Sequence, residues 1–161
     1  MNKGPAAILQ ENIKVAERML YHLDRSYRQI APDLPLEGKQ VRTLGEEQID
    51  RLDLYLGRFY KLQDFIVSKL FRSVALASLE DTSQDVSLID TLRRMEKYGI
   101  VTDLDDWLQI RLLRNSPTHE YLTDDVAIAE NINAAFSAYT TLKDTLERIK
   151  SYTQQHIIGR E

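Results

Sequence analysis

Arg114 and His119 stand close together in Arg114-Asn115-Ser116-Pro117-Thr118-His119-Glu120-Tyr121, a residue pair that could face a phosphate group. An unperturbed imidazole titrates at about pH 6.5, so His119 is suited to take or give a proton near neutrality. A guanidinium stays charged and meets phosphate oxygens through parallel N–H donors. Trp107, Arg111 and Arg114 follow i, i+4, i+7 spacing, which predicts a shared helix face. Arg111 on that face is a candidate auxiliary phosphate contact. Leu104, Leu108 and Leu112 form the neighbouring apolar stripe. Pro117 lacks the amide that would bond to the carbonyl of Leu113, so the chain is expected to change direction there. Ser116 as cap and Pro117 at the first helical position would start a new short helix and hold His119 near Arg114. A second reading stays open on the residues alone. Arg114 would then bond helix-end carbonyls, and His119 would cap the next turn.

The elements that must position these residues read as helices. Leu9, Ile13, Ala16, Leu20, Leu23, Tyr27 and Ile30 alternate steps of four and three, which predicts one helix of about 25 residues. A second stripe, Leu52, Tyr55, Phe59, Leu62, Ile66, Leu70 and Val74, predicts a helix over 46–79, with Gly57 marking a kink or a close helix approach. Such a helix spans about 50 Å, wider than a small domain, so part of it is expected to project against a partner. Ser87 and Asp90 have capping-box spacing before a helix that turns Leu88, Leu92 and Met95 inward, and Gly99 reads as its stop. The same helix carries Arg93, Arg94 and Lys97, which would enlarge the basic patch if it packs alongside. Thr102-Asp103-Leu104-Asp105 opens the helix of Arg111. Thr123 or Asp124 caps a last one, with Ile132, Phe136, Tyr139, Leu142, Leu146 and Ile149 inward. Pro32, Pro35, Gly38 and Gly45 mark the clearest loop. No segment alternates with period two long enough for a strand. The expected fold is an all-α bundle of about five helices with long antiparallel hairpins.

The whole chain bounds the function classes. Its 161 residues fit a single domain across 1–161, with 43% apolar and 29% charged residues. A net charge of −4 excludes a polybasic protein that coats nucleic acid by bulk charge, while leaving room for a local basic cleft. There is no cysteine, hence no disulfide framework and no thiol nucleophile. No apolar run reaches the length of a membrane span, and the N-terminus does not read as a signal peptide, so a cytoplasmic location is expected. Asp103, Asp105, Asp106, Asp124 and Asp125 cluster at helix starts, where carboxylates complement the helix dipole, so they are read as caps and not as metal ligands. His22 and His156 stand alone. Tyr27, Tyr55 and Tyr139 lie on the stripes and read as polar-tipped core aromatics.

Arg-x4-His alone is weakly specific. With Asn115 beside the arginine and Tyr121 two after the histidine, the octet resembles the R-x4-H-x-Y signature of HEPN proteins, in particular the HepT-like toxins and the related nucleotidyltransferase substrate-binding proteins. Size and helical organisation are similar over most of the chain. The resemblance implies a small helical homodimer, paired with a cognate minimal nucleotidyltransferase antitoxin. It implies metal-independent cleavage of RNA, transfer or messenger, without a cofactor. On this resemblance Arg114 stabilises phosphate charge in the transition state, and His119 is the general acid or base. Asn115 orients the substrate, and Tyr121 is the residue the partner modifies with AMP, which would repel RNA. The same resemblance implies an alternative: a non-catalytic subunit that presents substrate to the nucleotidyltransferase.

Overall fold

A computed structural model describes residues 3–84, 87–115 and 124–160, and the side chains of 114, 115 and 160 are outside the description. Among the described residues the chain is all-helical. Helix α1 runs Pro5–Ile30, with proline in its first turn, where a missing amide costs nothing. Next come a 3-10 turn at Ala31–Asp33 and a short helix α2, Gly38–Val41. Helix α3, Glu46–Phe65, passes through a π turn at Ile66–Leu70 directly into α4, Phe71–Ala77. Helices α5, Leu88–Lys97, and α6, Leu104–Asn115, precede the 32-residue α7, Asp125–His156.

Three rods form the frame. Helix α1, the α3–α4 rod and α7 pack on one another, α6 packs on α3 and α7, and α5 bridges α4 and α6. The stripes read in the sequence face this core. Leu52, Tyr55, Phe59, Leu62, Ile66, Leu70 and Val74 are all buried within the single chain. The second helix therefore does not spend this stripe on a partner: α1 and α7 cover it. On α1, Ser26 is buried and Leu20 and Tyr27 are half-buried, so the stripe bends around the helix as α3 and α7 take different sides.

Gly57 is neither a kink nor a close approach: nothing lies within 4 Å of where its Cβ would be. The irregularity sits at Ile66–Leu70, where the amide of Phe71 bonds to the carbonyl of Ile66. The cause lies in the spacing. From Leu62 onward the core residues recur every four positions, and each such step overshoots a 3.6-residue turn by about 40°. A π turn absorbs that drift and keeps Ile66, Leu70 and Val74 on the core side.

The helix ends follow ordinary capping chemistry. Ser87 Oγ accepts from the amide of Asp90 at 3.1 Å. Gly99 adopts φ +77°, the left-handed conformation that ends α5. Asp103, not Thr102, caps α6, accepting from the amides of Asp105 and Asp106. Asp124 caps α7, accepting from Val126 and Ala127. The 31–45 connection is more ordered than its prolines and glycines suggested. Its Leu34–Pro35 peptide is cis, and the Asn133 side chain on α7 binds both the amide and the carbonyl of Leu36 at 2.8 Å.

Candidate functional site

The octet begins at the end of α6 and finishes before α7. Of its residues, Ser116, Pro117, Thr118, His119, Glu120 and Tyr121 lie outside the described residues, as do the side chains of Arg114 and Asn115. The expected bend at Ser116-Pro117 and the expected meeting of Arg114 with His119 fall there too. Arg114 and Asn115 occupy the last turn of α6, and the two helix ends that bracket the octet are described.

The α6 end is held from α3. Arg111 Nη1 donates to Asp64 Oδ1 at 3.0 Å, with the arginine side chain 33% exposed. Arg111 was expected to face phosphate; in the structure its guanidinium donates to a carboxylate. The start of α7 is held from the 34–42 connection. Arg42 Nε bonds Asp125 Oδ2, and α2 packs on α7 so closely that a Cβ on Gly38 would fall 2.8 Å from Val126 Cγ2. The octet is therefore strung between two fixed points. Asp64, Arg42 and Asn133 were missed as supports, because each partner lies far away in sequence and neither spacing nor composition pairs them.

The face of α6 differs from the reading. Trp107 is 2% exposed and packs edge-on against Phe71, with ring centroids 5.3 Å apart; it is a core residue and not the platform of a phosphate patch. Ile110 is buried beside it, whereas Leu112 is 60% exposed and Leu104 and Leu108 are half-buried. Trp107 and Ile110, three positions apart, make the inward edge, since the largest apolar side chain buries the most area. The apolar stripe expected along Leu104, Leu108 and Leu112 is thus replaced by Trp107 and Ile110.

Arg94 and Lys97 do not join Arg111 in a basic patch. An Arg94 terminal nitrogen donates to the carbonyl of Asp81 at 3.0 Å, and Lys97 lies 3.9 Å from Glu80. Both side chains reach the loop before α5. Between α6 and α7 a cleft of about 290 Å³ runs along Asp106, Gln109, Ile110 and Leu113, opposite Ala134, Ser137, Ala138 and Thr141. Small residues on α7 open this cleft, and Leu113 brings it to within one residue of the octet.

Tyr27, Tyr55 and Tyr139 behave as core aromatics, and the hydroxyls of Tyr55 and Tyr139 are hydrogen-bonded. Tyr27 stacks between Phe136 and Tyr139, with centroids 4.4 and 4.2 Å away. Tyr55 is fully buried and donates to the carbonyl of Ala135 at 2.8 Å; burial pushes its phenol far above the usual range. Tyr139 donates to Asp24 Oδ1 at 2.5 Å.

No helix among the described residues is long and apolar enough to cross a membrane. Comparison of the chain with family models, with curated proteins and with solved structures returned no match.

Proposed function

We propose that this chain is a HEPN-type, metal-independent endoribonuclease, acting as a homodimer and as the toxin of a pair whose antitoxin is a minimal nucleotidyltransferase. The observation that carries the reading is the octet Arg114-Asn115-Ser116-Pro117-Thr118-His119-Glu120-Tyr121. Its setting supports the reading: the residues around it come from an all-helical bundle, with the arginine on the last turn of a helix tied to α3. Cleavage would proceed by attack of the ribose 2′-hydroxyl on phosphorus, with loss of the 5′-oxygen. His119 would move a proton at one of these oxygens, and Arg114 would meet the charge that builds on the phosphate. Asn115 would orient the substrate, and Tyr121 would receive AMP from the partner. Arg111 serves this site by fixing α6 on Asp64.

The pairing of Arg111 with Asp64 also favours the second reading, a silent subunit that presents substrate to the nucleotidyltransferase, because it removes one cation from the RNA-facing set. One experiment separates the two. Purified protein is incubated with total transfer RNA and messenger RNA in EDTA, beside folded His119→Ala. Mass spectrometry establishes that Tyr121 is unmodified. Cleavage by the unsubstituted chain alone supports the nuclease; silence from both moves the assignment to the binding subunit.

A further inference from the structure

A second group of cationic residues lines the groove between α1 and α3. There Met19 and His22 on α1 line a cleft of about 250 Å³ together with Arg58 and Lys61 on α3. Each pair is spaced i, i+3, so each lines one strip of its helix. No carboxylate lines the cleft, although the chain as a whole carries a net charge of −4.

The arginine is held in place. One terminal nitrogen of Arg58 donates to the Ser26 hydroxyl at 2.6 Å and to the backbone carbonyl of His22 at 3.0 Å. Ser26 is fully buried, so this anchor is rigid. A guanidinium has five N–H donors, and the anchor occupies one nitrogen. The other nitrogens have no acceptor among the described residues. Lys61 has no ion-pair partner there either. His22 Nδ1 is buried without a hydrogen-bond partner. The side chains of His22, Lys61 and Arg58 thus line one small cleft, and the imidazole among them carries a buried nitrogen without a partner, which is uncommon for a buried polar atom.

We infer that this cleft binds the phosphoryl group of a small phosphate ester or of free phosphate. A tetrahedral oxyanion offers three or four acceptor oxygens, enough for the guanidinium fork, the ammonium and an N–H on His22 together; a carboxylate offers only two. The Met19 thioether and the methylene stems of Arg58 and Lys61 supply an apolar wall for an ester group. The volume falls below the roughly 300–1,000 Å³ of clefts that enclose drug-sized ligands, so it suits a phosphoryl group with a short appendage. The site stands independently of Arg114 and His119.

The test is calorimetric titration of the full chain with inorganic phosphate and with glycerol 3-phosphate, with acetate as the planar control. Lys61→Met is the decisive variant, because Lys61 is exposed and holds no other group in place. His22→Ala is the second, since the backbone carbonyl that anchors Arg58 survives it. Binding of either phosphate, weakened by about tenfold or more in Lys61→Met and again in His22→Ala, supports the site. Tighter binding of glycerol 3-phosphate than of phosphate assigns the ligand as an ester, and equal binding assigns it as the free ion. The proposal is overturned if neither phosphate binds at millimolar concentration. It is equally overturned if both variants bind as the unsubstituted chain does, or if acetate binds as well as phosphate.

Discussion

Asp24 on α1 accepts from Tyr139 of α7 and pairs with Arg28 one turn along its own helix. The hydrogen bond from Tyr139 is the largest influence on its carboxyl and, with Arg28, holds it below the usual range against burial, the second-largest. A lowered folded pKa means that the stabilisation is present above the unfolded value, about 3.9, and is lost as pH falls through the folded value. Stability measured by urea unfolding should therefore drop below about pH 4, and Asp24→Asn should flatten that part of the profile. Tyr139→Phe should flatten it as well, because it removes the largest cause. Arg111 sets the second prediction at this scale. Being paired with Asp64 and one-third exposed, it should cost about 0.2–1 kcal/mol of stability when changed to alanine. In the RNA assay Arg111→Ala should lower cleavage less than tenfold, whereas His119→Ala should lower it by about 10²–10⁴. Comparable losses from both would return Arg111 to a direct phosphate contact.

Two glycines on different elements make opposite predictions. Gly38 begins α2, and a Cβ there would meet Val126 Cγ2 at 2.8 Å, its Cα at 3.1 Å and its amide at 3.2 Å. Backbone atoms cannot step aside as a side-chain tip can. Gly38→Ala should destabilise by about 1–3 kcal/mol, and shortening Val126 to alanine should restore only part of that. Gly57 lies inside α3 with free space around it, so Gly57→Ala should stabilise by about 0.4–1 kcal/mol. Thermal and urea unfolding of the two variants side by side checks both signs. The π turn belongs to this scale too: it reconciles a four-residue repeat of core positions with a helix of 3.6 residues per turn.

At the scale of the molecule, α1, the α3–α4 rod and α7 use their long stripes on one another, and α5 and α6 close the remaining side. Association of two chains therefore cannot draw on the α3 stripe, every member of which is at most 3% exposed. What stays outside is a set of separate apolar side chains on α1 and the α3–α4 rod: Ile8, Val15, Leu54 and Leu76, each 40–46% exposed. If the proposed homodimer forms, light scattering will give twice the chain mass. Substituting buried Leu62 by alanine should then cost about 2–5 kcal/mol of fold stability, since the cavity lies inside one chain. A Leu62→Ala protein that unfolded no more readily yet ran as a monomer would show that the stripe is an interface after all.

The periodicity of apolar residues determined the helical class and the long helices, because a helix buries a stripe whose spacing is local. Caps were legible for the same reason: Ser87, Gly99 and Asp124 act within a turn of their own positions. The octet was legible as a candidate because it is contiguous. The tertiary structure alone decided the rest. It paired Arg111 with Asp64, turned Trp107 to Phe71, sent Arg94 to Asp81 and buried the α3 stripe within one chain. It also set Met19 and His22 across from Arg58 and Lys61. Each of these outcomes depends on which face of one helix meets another, and that is settled by packing across dozens of residues and not by spacing along the chain.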